Sequence, residues 1–145
     1  MELNILRADP AGNITVFVLD PVEKAQRAAI AEKIMAIPAL KAEQVGYACA
    51  AEDDVDGHME MMGGEFCGNA TRAYGMYIAQ QKGGLSSVRL RVSGCDHAVT
   101  AQVDLKSGTA RAEMPCPRSV KRVTVNGHEA VSYTHLRAHE TLANL

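Results

Sequence analysis

Short strand-forming runs alternate with turn clusters along most of the chain, and only two stretches are long enough to be helices. That pattern limits the fold more than any other feature. Residues 3–8 and 14–19 read as strands, separated by the turn cluster Asp9-Pro10-Ala11-Gly12-Asn13. A first helix is expected to about residue 36, with Asp20 as N-cap, Pro21 at its first position and Ala25, Ala28, Ala29, Ile30 and Ile34 at helical spacing. Pro38 lies at or just beyond its end. Strands follow at 44–51 and 58–62, with the acidic turn Glu52-Asp53-Asp54-Val55-Asp56-Gly57 between them. That turn lacks the spacing and downstream glutamate of a calcium loop and reads as a solvated hairpin turn. The second helix is expected over 70–81, closed by Lys82-Gly83-Gly84. Residues 87–92, 98–105, 110–114 and 121–125 complete the strands, and Asn126-Gly127 marks a hairpin turn. Many short strands with two helices define an α+β chain.

Composition narrows the partners. The chain has 145 residues, 47% hydrophobic and 22% charged, which suffices for one ordinary core and excludes a disordered chain. A net charge of −2 gives no nucleic-acid footprint. No apolar run approaches the roughly 20 residues that span a membrane, and Met1-Glu2-Leu3-Asn4 lacks the pattern of a signal peptide, so a cytoplasmic protein is expected. Cys49, Cys67, Cys95 and Cys116 form no Cys-x-x-Cys pair and are expected as free thiols, with no metal site.

The chemistry concentrates in residues 63–74, Gly-Gly-Glu-Phe-Cys-Gly-Asn-Ala-Thr-Arg-Ala-Tyr. Cys67 stands where a glycine-rich loop enters the second helix. Free N–H groups and the helix dipole at such a junction favour an anion, and the thiolate is the reactive form of cysteine. The same N–H groups can hold a carboxylate. A base beside a carboxylate anchor suits chemistry at the α-carbon of an amino acid. The competing reading is a buried cysteine packed as a small hydrophobe beside a turn.

Three blocks carry a resemblance. Pro10-Ala11-Gly12-Asn13, Glu43-Gln44-Val45-Gly46 and Gly63-Gly64-Glu65-Phe66-Cys67-Gly68-Asn69-Ala70-Thr71-Arg72 occur in the order seen in the diaminopimelate epimerase family of cofactor-independent amino-acid racemases. Ser93-Gly94-Cys95 and Met114-Pro115 add weaker matches, and the resemblance covers roughly residues 3–130. Within that family the chain is most similar to the histidine racemase branch used in making opine-type metallophores. Glu60-Met61-Met62 stands where diaminopimelate epimerases carry Asn-Ala-Asp, which argues against diaminopimelate as substrate.

The resemblance implies a lobe with a curved, mostly antiparallel sheet around a central helix, one of two lobes that close over an amino acid. It implies no cofactor and two cysteines, one taking the α-proton as thiolate while the other, a thiol, reprotonates the opposite face. Cys67 is the implied acid or base. The N–H groups of Gly68 and Asn69 hold the α-carboxylate, and Asn13 and Gln44 line the pocket. Glu60 is offered as an anion for an imidazole or ammonium of the substrate, against the plainer reading of a solvent-facing strand residue. Residues 1–131 are read as the N-terminal lobe, residues 132–145 as a non-native tail, and the second lobe as absent, so half an active site is expected. His135 and His139, four apart, lack the glutamate of a hydrolytic zinc motif. A homodimer is left open. Competing readings are a non-catalytic amino-acid-binding or self-associating lobe, a phenazine-type isomerase using an acid such as Glu65, and a cysteine hydrolase drawing on His58 or His97.

Overall fold

The computed structural model describes residues 2–116 and 119–134. The chain forms two compact units, Met1–Glu113 and Met114–Leu145. In the first, the strands are β1 (Ile5–Ala8), β2 (Thr15–Val18), β3 (Gln44–Cys49), β4 (Gly57–Met61), β5 (Ser87–Val92), β6 (Val99–Asp104) and β7 (Thr109–Ala112). They form one sheet in sequence order. Helix α1 (Lys24–Met35) connects β2 to β3, and helix α2 (Gly68–Gln81) connects β4 to β5. Those two pairs are parallel, as helical crossovers require, and the other four are antiparallel.

The two helices lie on opposite faces of the sheet. Val16 and Val18 of β2, with Val45 and Tyr47 of β3, pack against Ala31 and Ile34 of α1. Tyr47 anchors the contact from its buried ring. Its hydroxyl donates to the Arg27 carbonyl at 2.6 Å, and the Arg27 guanidinium lies 5.1 Å from its ring centre. The other face curls round α2, which packs against β4, β5, β6 and β7, while Phe17 of β2 meets Tyr74 with ring centres 5.5 Å apart. β2 is therefore covered on both sides, and all four of its residues are buried. Gly75 permits the close approach of α2: a Cβ there would come within 2.8 Å of the Ala101 Cβ. A groove of about 500 Å³ remains between the edge strands β1 and β7, lined by Leu6, Ala8, Thr109 and Ala110 and floored by Met76 and Tyr77 of α2.

Sequence and structure differ at the start of α1. Asp20 does not cap the helix. Its carboxylate accepts from the Asn4 backbone N–H and side-chain amide, which tie the segment after β2 to the one before β1. The helix begins later, with Glu23 as N-cap and no side-chain capping bond. α2 ends as its glycines require, with Gly83 and Gly84 at φ +84° and +90°.

The second unit contains the hairpin β8 (Ser119–Val125) and β9 (His128–Thr134). Its turn places Asn126 and Gly127 at φ +50° and +80°, the left-handed pair that a tight hairpin demands. The unit boundary falls beside Pro115, and β9 continues to Thr134, past the start of the expected tail at residue 132. His135 and His139 lie outside the described residues.

Candidate active site

The site assembles at one rim of the curled sheet, where β2 and β3 begin, β4 and β5 end, and α2 starts. Parallel pairing sets Thr15 opposite Gln44. Side chains alternate along a strand, so both lie on the face that carries Phe17 and α2.

Cys67 is the N-cap of α2, with an extended backbone and a side chain that accepts from the Ala70 N–H at 3.4 Å. A second N–H reaches the sulfur from Gln44 Nε2 at 3.3 Å, and Gln44 Oε1 lies 3.5 Å from it on the acceptor side. One amide thus offers a donor suited to thiolate and an acceptor suited to thiol. The Cys67 carbonyl accepts from the Thr71 N–H at 2.9 Å and from the Thr71 hydroxyl at 2.8 Å. Gly68 and Asn69 are the first two helical residues, and their N–H groups have no carbonyl within the helix to bond. Free N–H groups at a helix start favour an anion. The Asn69 side-chain oxygen, Oδ1, accepts from the Arg72 guanidinium, so Arg72 pairs with an amide rather than with an acid.

The loop before Cys67 is braced from β5. The Ser93 hydroxyl accepts from the Met61 N–H at 2.9 Å and donates to the Glu65 carbonyl at 2.7 Å. Gly94 lies so close beneath that a Cβ would fall 2.3 Å from the Phe66 nitrogen. Ser93-Gly94-Cys95, a weak match in the sequence, is thus the turn on which the Cys67 loop rests.

Of the residues expected at the site, Cys67, Gln44, Gly68 and Asn69 are brought together. Asn13 is half-buried at the end of the turn into β2, two residues before Thr15. Glu60 is the correction. On β4 it lies on the opposite side from Met59 and Met61, toward α1, where it pairs with Arg27 and, at 3.3 Å, with Lys24. Burial pushes its carboxyl up, but the hydrogen bonds and charges of Arg27 and Lys24 outweigh this and hold it below its ordinary value. It is neither a substrate anion beside Cys67 nor a solvent-facing residue.

The other thiols have different surroundings. Cys49 lies 3.4 Å from Arg27 Nη2, and burial pushes its thiol up despite that charge. Cys95 is also pushed up, by burial first and then by Asp96 and Glu113. His58 bonds the Ala50 carbonyl and His97 bonds Asp96, so neither is a hydrogen-bond partner of Cys67. The acidic turn is held by protein cations: Arg91 pairs with Glu52 and Lys82 with Asp56. Among the described residues no group of three or more His, Cys, Asp or Glu side chains is placed to hold a metal ion. No described helix is long and apolar enough to cross a membrane.

A cysteine caps the central helix at the rim of a mixed sheet curled round that helix. The sequence matches the family described as histidine racemase CntK N-terminal domain over residues 2–143, and the chain belongs to that family. A histidine racemase of Fusobacterium nucleatum is 42% identical over 79 residues, covering 53% of this chain and 27% of that protein. A histidine racemase of Staphylococcus aureus is 32% identical over 122 residues, covering 81% of this chain and 44% of that protein. The chain therefore matches less than half the length of these relatives.

Thr15 was missed as a member of the site. The sequence places it in an apolar strand, and only the register with Gln44 shows what its hydroxyl does.

Proposed function

We propose that the chain supplies one half of the active site of an amino-acid racemase that uses two cysteines and no cofactor, with histidine as substrate. The observation that carries this is the Cys67 sulfur, held between the Gln44 amide and the Ala70 N–H beside the unpaired N–H groups of Gly68 and Asn69. A substrate carboxylate on those two N–H groups brings the α-carbon to the thiol. As thiolate, Cys67 takes the α-proton and the sulfur becomes S–H, with Gln44 Oε1 to accept its hydrogen bond. The electron pair left on carbon delocalises into the carboxylate, where the N–H donors meet the charge that develops. A second thiol on the other face returns a proton, and the roles reverse for the opposite enantiomer. One base alone would restore the starting configuration.

The partner base belongs to a second lobe. The matched relatives are more than twice as long as the segment they share with this chain, which supports that division. The histidine assignment rests on the names of those relatives, since Glu60 is taken up by Arg27 and gives no support for an imidazole.

The test is α-proton exchange and enantiomer interconversion of L-histidine in D₂O. It is run on the chain alone and on the chain joined to the second lobe of the Staphylococcus aureus relative. The joined protein is expected to interconvert the enantiomers and to lose this with Cys67→Ala, while the chain alone does not turn over. Undiminished racemisation in the Cys67→Ala protein would sink the assignment.

A further inference from the structure

We infer that Thr15 is a positioning residue for the Cys67 sulfur, acting through the Gln44 amide. Thr15 lies in a fully buried strand and is 0% exposed. Packing alone would be served there by valine, which has the same shape and no hydroxyl to desolvate. The hydroxyl oxygen instead accepts from Gln44 Nε2 at 2.7 Å. The terminal torsion of a glutamine is broad and nearly two-fold, so its amide has little preference of its own for which end faces a neighbour. With one N–H held by Thr15, the other is left for the sulfur at 3.3 Å. Gln44 Oε1 lies 3.5 Å from the same sulfur, so the amide meets it edge-on with both ends in reach. Thr15 thus pins the amide where its N–H reaches a negative sulfur.

A second observation agrees. Among the described residues Thr15 and Thr71 are the two buried threonines. Both serve Cys67: Thr71 bonds its carbonyl, and Thr15 bonds its amide partner.

The proposal rests on Cys67 being the reacting group, but its test needs no turnover, so failure of the racemase reading would leave it standing. Iodoacetamide alkylation of the purified chain at neutral pH is followed at each cysteine by peptide mass spectrometry, with Cys49 and Cys95 as internal controls. Thr15→Val removes the hydroxyl and keeps the shape. It is expected to slow alkylation of Cys67 about tenfold, the worth of one oriented hydrogen bond to a charged group. Thr15→Ser keeps the hydroxyl and is expected to stay within about twofold of the unsubstituted chain, as a hydroxyl-borne effect requires. Cys49 and Cys95 should react unchanged in both. An unchanged Cys67 rate in Thr15→Val would overturn the proposal. Equal slowing in Thr15→Ser would do the same, because the effect would then track the methyl group and packing. Should Thr15→Val fail to fold, the side-chain amide NMR signals of the unsubstituted chain decide. Gln44 Nε2 protons shielded from solvent exchange are expected, and rapid exchange would refute the orientation.

Discussion

Gly64 and Gly94 both adopt φ +76°, but their surroundings differ. A Cβ at Gly64 would meet nothing within 4 Å, whereas one at Gly94 would fall 2.3 Å from the Phe66 nitrogen and 2.9 Å from the Glu65 carbonyl carbon. An alanine at either position carries the same left-handed backbone penalty of about 1–2 kcal/mol. At Gly94 a second term is added, because the obstructing atoms are main chain and no rotamer change can clear them. Overpacking of that kind costs about 1–3 kcal/mol. Gly94→Ala should therefore destabilise the chain by about 2–5 kcal/mol and Gly64→Ala by about 1–2 kcal/mol, the difference measuring the contact alone. Urea unfolding of the two variants and the parent gives both losses, provided the denaturant slope is unchanged. Because the displaced segment leads to Cys67, its alkylation rate should also change more in Gly94→Ala than in Gly64→Ala. Equal losses in the two variants would refute the claim that the β5–β6 turn bears on the Cys67 loop.

Glu60 makes stability acid-dependent. Its folded-state pKa lies below the ordinary 4.5, so its contribution is fully present above that value and is lost as pH falls through the lower folded value. Glu60→Gln is expected to be less stable than the parent at neutral pH, with the gap closing below pH 4.5; a gap independent of pH in unfolding curves would contradict the ion cluster. Gly75→Ala should destabilise the chain although glycine to alanine in an exposed helix gains about 1 kcal/mol. The 2.8 Å approach to Ala101 forces α2 off the sheet at about 1–3 kcal/mol, so a higher urea midpoint would refute the packing account. Tyr47→Phe removes the hydroxyl that bonds Arg27 and leaves the ring, which should lower stability by about 1 kcal/mol in the same assay.

Much of the fold was legible because its signals are local. Alternation over Ser87–Val92 and Val99–Asp104 gave both strands, and the Asn126-Gly127 pair gave the hairpin turn. Cys67 at the head of a helix followed from two glycines before it and a helix-compatible run after it. Asp20 failed as a cap because Asn4, sixteen residues earlier, competes for its carboxylate, and that pairing is visible only once β1 and β2 lie together. Glu60 failed for a similar reason. Alternation told that it shares a face with His58, but not that α1 crosses that face and brings Lys24 and Arg27 to it. β9 was not read as a strand because the exposed residues His128, Glu129 and Ala130 give no apolar alternation to follow.

The sheet runs in strict sequence order, and α2 falls between its fourth and fifth strands. Strands added on either side in turn close round a helix that was midway along the chain from the start. Its buried residues Ala70, Thr71, Tyr74, Gly75 and Ala79 face the sheet, so their amides should exchange more slowly than those at Met76 and Tyr77, which floor the groove. Cys67 is bonded to the first of these amides. The Cys67 sulfur is thus fastened to the first turn of the central helix rather than carried on a free loop, and its position should hold as long as that turn does.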